Sequence, residues 1–316
     1  MLKESENNVE FVLIAEAGIL EAQALLLCES IRSFAGAYSQ FPITVISPRS
    51  SRRPSFSTLR KLDRLQAEYL PIEVESCCPE YGTSYRVHSL AHVARRSGPP
   101  VIVQLDSDTI FLSEPDFSLT DSHAAARPVD VKGMCTTGPA DPFDNFWREL
   151  CALMGVNYEQ LSIVETTVDC QRVRASYNGG LIAAQRACGI FERTEEIFSR
   201  LVTAGLKPWT AGGPTIWTGT GILSGAATAY WGTSQAAFSL AAVAGNHAVE
   251  LLPATYNFPL HCLDQMTTSI PWPLIHVHYH WLFSAEACDA NPMLNEKLNL
   301  SVEAAEWLRA RLPLRS

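Results

Sequence analysis

The amino-acid sequence predicts an α/β fold built on a mainly parallel, doubly wound sheet. Two observations carry this prediction. Short apolar runs rich in valine, isoleucine and leucine alternate with longer segments of helical spacing, and hydrophobic residues make up 47% of the 316 residues. Buried strands of a parallel sheet read as continuous apolar runs joined by helices. Because such sheets bind ligands at the carboxyl ends of their strands, polar residues at those ends are the candidates for function.

The first hundred residues supply the alternation element by element. Strands are predicted at residues 9–15, 43–47 and 68–74, and helices at residues 19–35, 56–66 and 84–98. Gly98 and the two prolines after it end the third helix. A fourth strand is therefore predicted to begin at residue 101.

The remainder of the chain continues without a linker or an internal repeat. Helices are predicted at residues 189–205 and 233–245, and the segment 138–155 begins with prolines and acids and continues as a helix. A turn feeding a strand is predicted at 176–186, a strand and loop at 248–257, and a strand at 273–283. The glycine-rich stretch at 210–226 is interpreted as a flexible loop or as backbone that approaches a ligand closely. The absence of any linker signal predicts one continuous domain over residues 1–316.

Charge and composition exclude several classes of protein. A net charge of −9 with only 24 lysines and arginines argues against nucleic-acid binding. The densest basic stretch, residues 47–55, is interpreted as a solvated loop. The apolar run at residues 11–15 breaks at Glu16, so no transmembrane segment is expected. Nine cysteines without zinc-site spacing indicate reduced thiols and a cytoplasmic location.

The fourth strand carries the most informative residues, in the stretch VIVQLDSDTIFL at 101–112. Asp106 and Asp108 flank Ser107 inside an apolar context, and burying an unpartnered charge costs several kcal/mol. A positive partner is therefore expected beside them. Three interpretations are open: a divalent cation bridging the aspartates to a diphosphate, the nucleophile of a haloacid-dehalogenase-type phosphatase, or a strand-end turn.

Context ranks these interpretations. The phosphatase motif usually opens the chain and prefers threonine or valine where Ile110 stands, and no late acidic pair follows here. The predicted strand at 273–283 places His276, His278 and His280 at a period of two and so on one face. Since neutral imidazole binds Mn²⁺, the metal interpretation comes first and the phosphatase second.

Four motifs in order carry a resemblance to a known family. They are VIVQLDSDTIFL at 101–112, YNGGLIAAQR at 177–186, LPATYNFPL at 252–260 and IHVHYHW at 275–281. Together they resemble the metal-dependent nucleotide-sugar glycosyltransferases of GT-A type, nearest to the glycogenin and lipopolysaccharide-galactosyltransferase group. The resemblance implies a GT-A-type, Rossmann-like and mainly parallel sheet flanked by helices. It implies a nucleotide-binding half at 9–115 and an acceptor-binding half at 116–316.

The resemblance also implies an activity and its ligands. The chain would be a hexosyltransferase that moves a sugar from a nucleotide-diphosphate donor, most often a UDP-sugar, to a sugar, glycan or small-molecule acceptor. Mn²⁺ or Mg²⁺ would be the cofactor.

Residue roles follow from the same resemblance, position by position. The metal ligands would be Asp106, Asp108 and His278, with His280 as the alternative histidine. Ser107 would lie against the nucleotide ribose, Arg86 would contact the diphosphate, and Gly180 would give the donor room to approach. Asn178 and Gln235 would act at the transferred sugar. The Asp-Gln pair of the family appears here as Ser234-Gln235, so an acidic sugar contact is missing. A non-catalytic scaffold of the same fold is therefore a further alternative.

A stretch rich in glycine and tryptophan, residues 209–232, is the candidate acceptor wall. Aromatic faces stack on sugar rings, and glycines permit the segment to close. Trp217 is the residue expected to contact the acceptor, and the alternative is an ordinary packed edge of the core.

Overall fold

The computed structural model describes residues 8–210, 212–266, 269–290, 298 and 300–315. Its strands are β1 (Val9–Ile14), β2 (Ile43–Ser47), β3 (Ala67–Pro71), β4 (Val101–Leu105), β5 (Thr109–Phe111), β6 (Ala124–Pro128), β7 (Ile163–Glu165), β8 (Arg172–Arg174), β9 (Tyr177–Gln185), β10 (Gly213–Thr218), β11 (Gly221–Gly225), β12 (Val249–Leu251), β13 (Phe258–Pro259) and β14 (His276–His278). Its helices are α1 (Ile19–Phe34), α2 (Phe56–Arg64), α3 (Thr83–Ala94), α4 (Asp144–Met154), α5 (Ile190–Thr203), α6 (Thr233–Ala244), α7 (Ala285–Ala290) and α8 (Val302–Arg309).

Seven strands form the central sheet in the order β12-β6-β9-β4-β1-β2-β3. All neighbours are parallel except β9, which runs antiparallel to β4 and to β6. The predicted strand and helix alternation up to residue 105 is confirmed, as is the mainly parallel sheet. Apolar side chains bury both faces, with α3, α5 and α6 packed on one and α1 and α2 on the other.

Three predicted elements differ from the structure. The stretch at 176–186 is not a turn followed by a strand, because pairing on both sides by β4 and β6 extends β9 over nearly all of it. The segment at 210–226 is a hairpin rather than a loop, since Trp217 pairs with Ile222 and Thr218 with Gly221. By contrast, the strand and loop predicted at 248–257 agree with the structure, in which β12 is the edge strand of the sheet and an irregular segment follows it.

The third difference concerns the late histidines. The strand predicted at 273–283 is reduced to β14, which ends at His278, and His280 follows it with φ 50°. The short strand belongs to a second sheet, β13-β14-β5, in which His278 lies opposite Thr109. Because β5 begins directly after Asp108, this pairing brings His278 to the D-x-D stretch.

The antiparallel β9 approaches the same point from the other side. The Asp106 backbone N–H donates to the Gly180 carbonyl at 3.0 Å. The carboxyl end of β4, the start of β9 and the end of β14 thus meet at one place. Among the described residues, no helix is both long and apolar enough to cross a membrane.

Candidate functional site

A cavity with two adjoining chambers opens where β1 and β4 end. The first chamber has a volume of about 440 Å³, and its lining includes Glu16, Gln23, Arg49, Tyr85, Ser107 and Asp108. The second has a volume of about 470 Å³, and its lining includes Asp130, Asn178, Trp217, Gln235, His261 and Trp281. Arg86, Asp106, His278 and His280 line both chambers. These four residues therefore mark the junction of the two chambers.

The two aspartates have separate positive partners. Arg86, from α3, forms an ion pair with the Asp106 carboxylate and also donates to the Gly179 carbonyl at 3.3 Å. The Asp108 Oδ1 atom lies 3.3 Å from the His278 Nε2 atom. The positive partner expected from the sequence is thus two groups, an arginine for one carboxylate and a histidine for the other.

Electrostatics couple Asp108 to His278. Burial alone would raise the pKa of the Asp108 carboxyl, but the charge and hydrogen bond of His278 outweigh burial and hold that pKa below its ordinary value. Burial likewise opposes a charged imidazole, yet the nearby Asp108 carboxylate raises the pKa of His278. The pair is therefore arranged to hold a negative and a positive charge together in a largely buried position.

One carboxylate and two imidazoles form a cluster able to hold a metal ion. The candidate ligand atoms of Asp108, His278 and His280 all lie within 4.8 Å of one another. The Nδ1 atoms of both histidines are buried without a hydrogen-bond partner among the described residues. This donor set fits a divalent cation that accepts both nitrogen and oxygen, which favours Mn²⁺ over Mg²⁺.

Asp106, a predicted metal ligand, and His276, the first histidine of the alternating pattern, lie outside this cluster. The Asp106 carboxylate faces Arg86. His276 is fully buried against the Phe111 ring, with a centroid separation of 4.7 Å. The alternating pattern placed all three histidines on one face, whereas in the structure His278 and His280 lie beside Asp108 and His276 does not.

Ser107 lines the first chamber, and Asn178 and Gln235 line the second, whereas Gly180 is not part of either lining. The Ser107 hydroxyl donates to the Ile14 carbonyl on β1. The Asn178 side chain donates to Asp130 Oδ2 at 2.7 Å and accepts from the Gly180 N–H at 2.8 Å. A Cβ at Gly180 would lie 2.6 Å from His278 Nδ1, so glycine is required here by close approach.

Sequence reasoning missed an acidic residue in the second chamber. Asp130 follows β6, and burial raises the pKa of its carboxyl to about 6. His261 lies beside it, with its Nε2 atom 3.9 Å from Asp130 Oδ2, and stacks on the His280 ring with centroids 3.6 Å apart. Neither residue belongs to a recognisable motif, so no sequence signal pointed to them.

The interpretation of the basic stretch at 47–55 as a solvated loop is wrong at Arg49. Arg49 is not a solvated loop residue, because its guanidinium forms an ion pair with Glu16, with Nε 2.7 Å from Oε1, and lies 4.2 Å from the Tyr85 ring centroid. The available signal was Glu16 itself, a buried carboxylate directly after an apolar strand, which requires a cation. These three residues form one wall of the first chamber.

Comparisons with known proteins bear on the family and the fold. The family model described as the Rhodobacterales glycosyltransferase domain matches residues 11–209, more than half of the chain. Among proteins with curated descriptions, none matches the sequence.

Two solved glycosyltransferase structures share the fold. The structure of WbbM, a bifunctional glycosyltransferase, is similar with a TM-score of 0.55 and 13% identity over 98% of this chain and 53% of WbbM. The chain thus spans about half the length of that protein. The galactosyltransferase LgtC, solved with donor and acceptor sugar analogues, is similar with a TM-score of 0.51 and 12% identity over 96% of this chain and 100% of LgtC. At these identities the likeness shows the fold alone.

The fold predicted from the ordered motifs is confirmed as the GT-A type, and with it the resemblance to glycosyltransferases. Since the family model spans most of the central sheet and the D-x-D stretch, this chain belongs to the Rhodobacterales glycosyltransferase domain family.

Proposed function

We propose that this protein transfers a hexosyl group from a nucleotide-diphosphate sugar, with a UDP-sugar as first choice, to a sugar, glycan or small-molecule acceptor. The observation that carries the proposal is the cluster of Asp108, His278 and His280 at the junction of the chambers, beside the ion pair of Arg86 with Asp106. A cation site and a fixed guanidinium at one junction suit a diphosphate leaving group.

Asp108 and His278 would hold Mn²⁺ or Mg²⁺, with His280 as a third ligand. A cation bound there would neutralise the charge that develops on the departing diphosphate. Asp106 stays a candidate ligand, since Arg86 can exchange its carboxylate partner for phosphate oxygens through the same planar fork. Arg86 would orient the diphosphate.

The first chamber would take the nucleotide, in keeping with the nucleotide-binding half at 9–115. The guanidinium of Arg49, stacked on Tyr85, offers a planar face for a base, and the backbone around Ser107 would lie against the ribose. The first chamber is large enough for a compact ligand of this kind.

The second chamber would take the transferred sugar and the acceptor, in keeping with the acceptor-binding half at 116–316. Asn178 and Gln235 would contact the sugar, and the faces of Trp217 and Trp281 would stack on sugar rings. Asp130 supplies an acidic group in this chamber, where Ser234 lacks the carboxylate that the family carries.

A thermal-shift panel of nucleotide diphosphates and nucleotide sugars, with and without Mn²⁺, tests the proposal. A ligand present at a hundred times its Kd stabilises the native state by about 2.7 kcal/mol, so a clear rise in Tm is expected with at least one nucleotide and Mn²⁺ together. If no nucleotide diphosphate raises Tm under either condition, the proposal is wrong.

Two alternatives give different results in companion assays. A non-catalytic scaffold would bind the nucleotide but show neither sugar transfer nor donor hydrolysis. A phosphatase would hydrolyse simple phosphate esters with Mg²⁺ and without a nucleotide, and we do not expect this because the family and fold are those of glycosyltransferases.

A further inference from the structure

The hairpin formed by β10 and β11, hereafter the roof hairpin, covers both chambers. Thr218, Gly219 and Thr220 at its tip line the first chamber, and Ile216 and Trp217 line the second. The hairpin forms a two-stranded sheet separate from the central sheet. An isolated two-stranded hairpin is marginally stable in water, so its position must depend on contacts at its base and tip.

Its outer surface supplies little packing. Trp217 is 52% exposed and Ile222 is 55% exposed. The Trp217 ring lies 5.5 Å from the Trp281 ring, measured between centroids, and the base packs against Thr228. The tip is held from below by one side chain of α1.

That side chain is Gln23. Its Nε2 atom donates to the Gly219 carbonyl at 2.8 Å, although the two residues are 196 positions apart in the chain. Gln23 is only 2% exposed, and its Oε1 atom is buried without a hydrogen-bond partner among the described residues. A buried amide with one satisfied end costs free energy, so the fold of α1 does not account for its presence.

The bond holds the tip against Asp108. A Cβ at Gly219 would lie 2.5 Å from Asp108 Oδ2 and 2.8 Å from Gln23 Nε2. Glycine is therefore needed at the tip for close approach. With the hairpin in this position, the first chamber still has about 440 Å³ beneath it, so the held position is compatible with a bound ligand.

We propose that Gln23 is a positioning residue, which holds the tip of the roof hairpin over Asp108 and so completes the wall of the first chamber. The inference concerns a residue with no role in the proposed reaction. Of the measurements below, only the Kd for UDP rests on the proposed function, because it takes the first chamber as the nucleotide site.

Replacing Gln23 with methionine tests the proposal, because methionine keeps the length and removes the donor. Losing one hydrogen bond of about 1 kcal/mol should raise amide hydrogen exchange in residues 213–225 of the ligand-free protein about fivefold. Exchange in α1 and the central sheet should stay unchanged. The variant loses the hydrogen bond of the donor but no longer buries the unpartnered Oε1 atom, and these two effects on the free energy of unfolding offset each other. The Kd for UDP with Mn²⁺ should rise by a similar factor, because the tip residues leave the chamber wall.

Two further variants sharpen the result. Gln185 offers a matched control, since its Nε2 atom donates to the Leu119 and Ser122 carbonyls outside both chambers, and Gln185→Met should leave exchange in 213–225 at the wild-type rate. Gly219→Ala should reproduce the Gln23→Met pattern, because the added methyl group would collide with the side chains of Asp108 and Gln23 and displace the tip.

Wild-type exchange rates at 213–225 in Gln23→Met would overturn the proposal, whatever Gly219→Ala shows. A rise spread evenly over the whole chain would also overturn it, since Gln23 would then only support the packing of α1. If exchange rises at the hairpin but wild-type protein binds no nucleotide diphosphate, the positioning role of Gln23 stands and the proposed function fails.

Discussion

Asp106 and Asp108 stand one residue apart, yet each has its own cation. Two carboxylates this close would repel each other in a site without ligands, and the sequence alone suggests strain. Arg86 and His278 remove that strain by pairing with one carboxylate each. The ligand-free site is therefore balanced, and removing one aspartate should disturb it.

Asp108→Asn should abolish sugar transfer and also lower ligand-free stability. Loss of a group that stabilises transition-state charge costs on the order of 10²-fold or more in rate. Loss of the partner of His278 should lower the free energy of unfolding by roughly 1–3 kcal/mol. Donor turnover with Mn²⁺ measures the first effect, and urea unfolding without ligand measures the second.

Asp121→Asn is the control, because Asp121 is exposed and lines neither chamber. Full activity of Asp108→Asn with Mn²⁺ would remove Asp108 from the metal site and leave the strand-end turn as the explanation of the D-x-D stretch.

At the scale of elements, the site depends on two short pairings outside the central sheet. The pairing of β14 with β5 sets His278 opposite Thr109 and hence beside Asp108. The pairing of β10 with β11 sets Trp217 opposite Ile222. Trp217 lines the second chamber and Ile222 does not. Substitutions at these two positions can therefore be compared to test acceptor binding.

Trp217→Ala should raise the KM for an acceptor that supports transfer about fivefold, with less than a twofold change for the donor, because stacking on an aromatic face contributes about 1 kcal/mol. Steady-state kinetics with each substrate varied in turn give the two values. Ile222→Ala, on the neighbouring strand and similarly exposed, should change neither KM. Equal effects of Trp217→Ala on both KM values would indicate packing of the hairpin instead of acceptor binding.

At the scale of the whole molecule, burial of the site makes stability depend on pH. The pKa of Asp130 is raised to about 6 by burial, whereas an unfolded aspartate titrates near 3.9. Between these values the native chain binds more protons than the unfolded chain does. The Asp130 contribution to stability is therefore fully present below about pH 4 and is lost as the pH rises through about 6.

Asp130→Asn should remove this dependence. The free energy of unfolding of the variant minus that of the wild type should increase by about 2 kcal/mol between roughly pH 4.5 and pH 7.5. Urea unfolding of both proteins at the two pH values, without ligand, measures it. The bond from Asn178 can be kept by the amide oxygen of the new side chain. A constant difference for Asp130→Asn would contradict the raised pKa.

The sequence by itself determined the alternation of strands and helices up to Asp106, because the period of apolar residues is a local property that burial of each element preserves. The order of four motifs was enough to recognise a glycosyltransferase of GT-A type, and the change from apolar strand to Asp106 and Asp108 marked the place of the candidate site. The roles of the individual site residues stay predictions, and the structure shows which of those residues meet.

Only the tertiary structure decided which other residues join them. Asp130 and His261 come from segments with no periodic pattern, and they reach the site because β6 and β13 end near the D-x-D stretch. The cluster holds His278 and His280 but not His276, although the alternating pattern places all three histidines on one face. The roof hairpin and its bond to Gln23 join residues nearly two hundred positions apart. Contacts of this length depend on how sheets pair and helices pack, which local spacing along a single chain does not record.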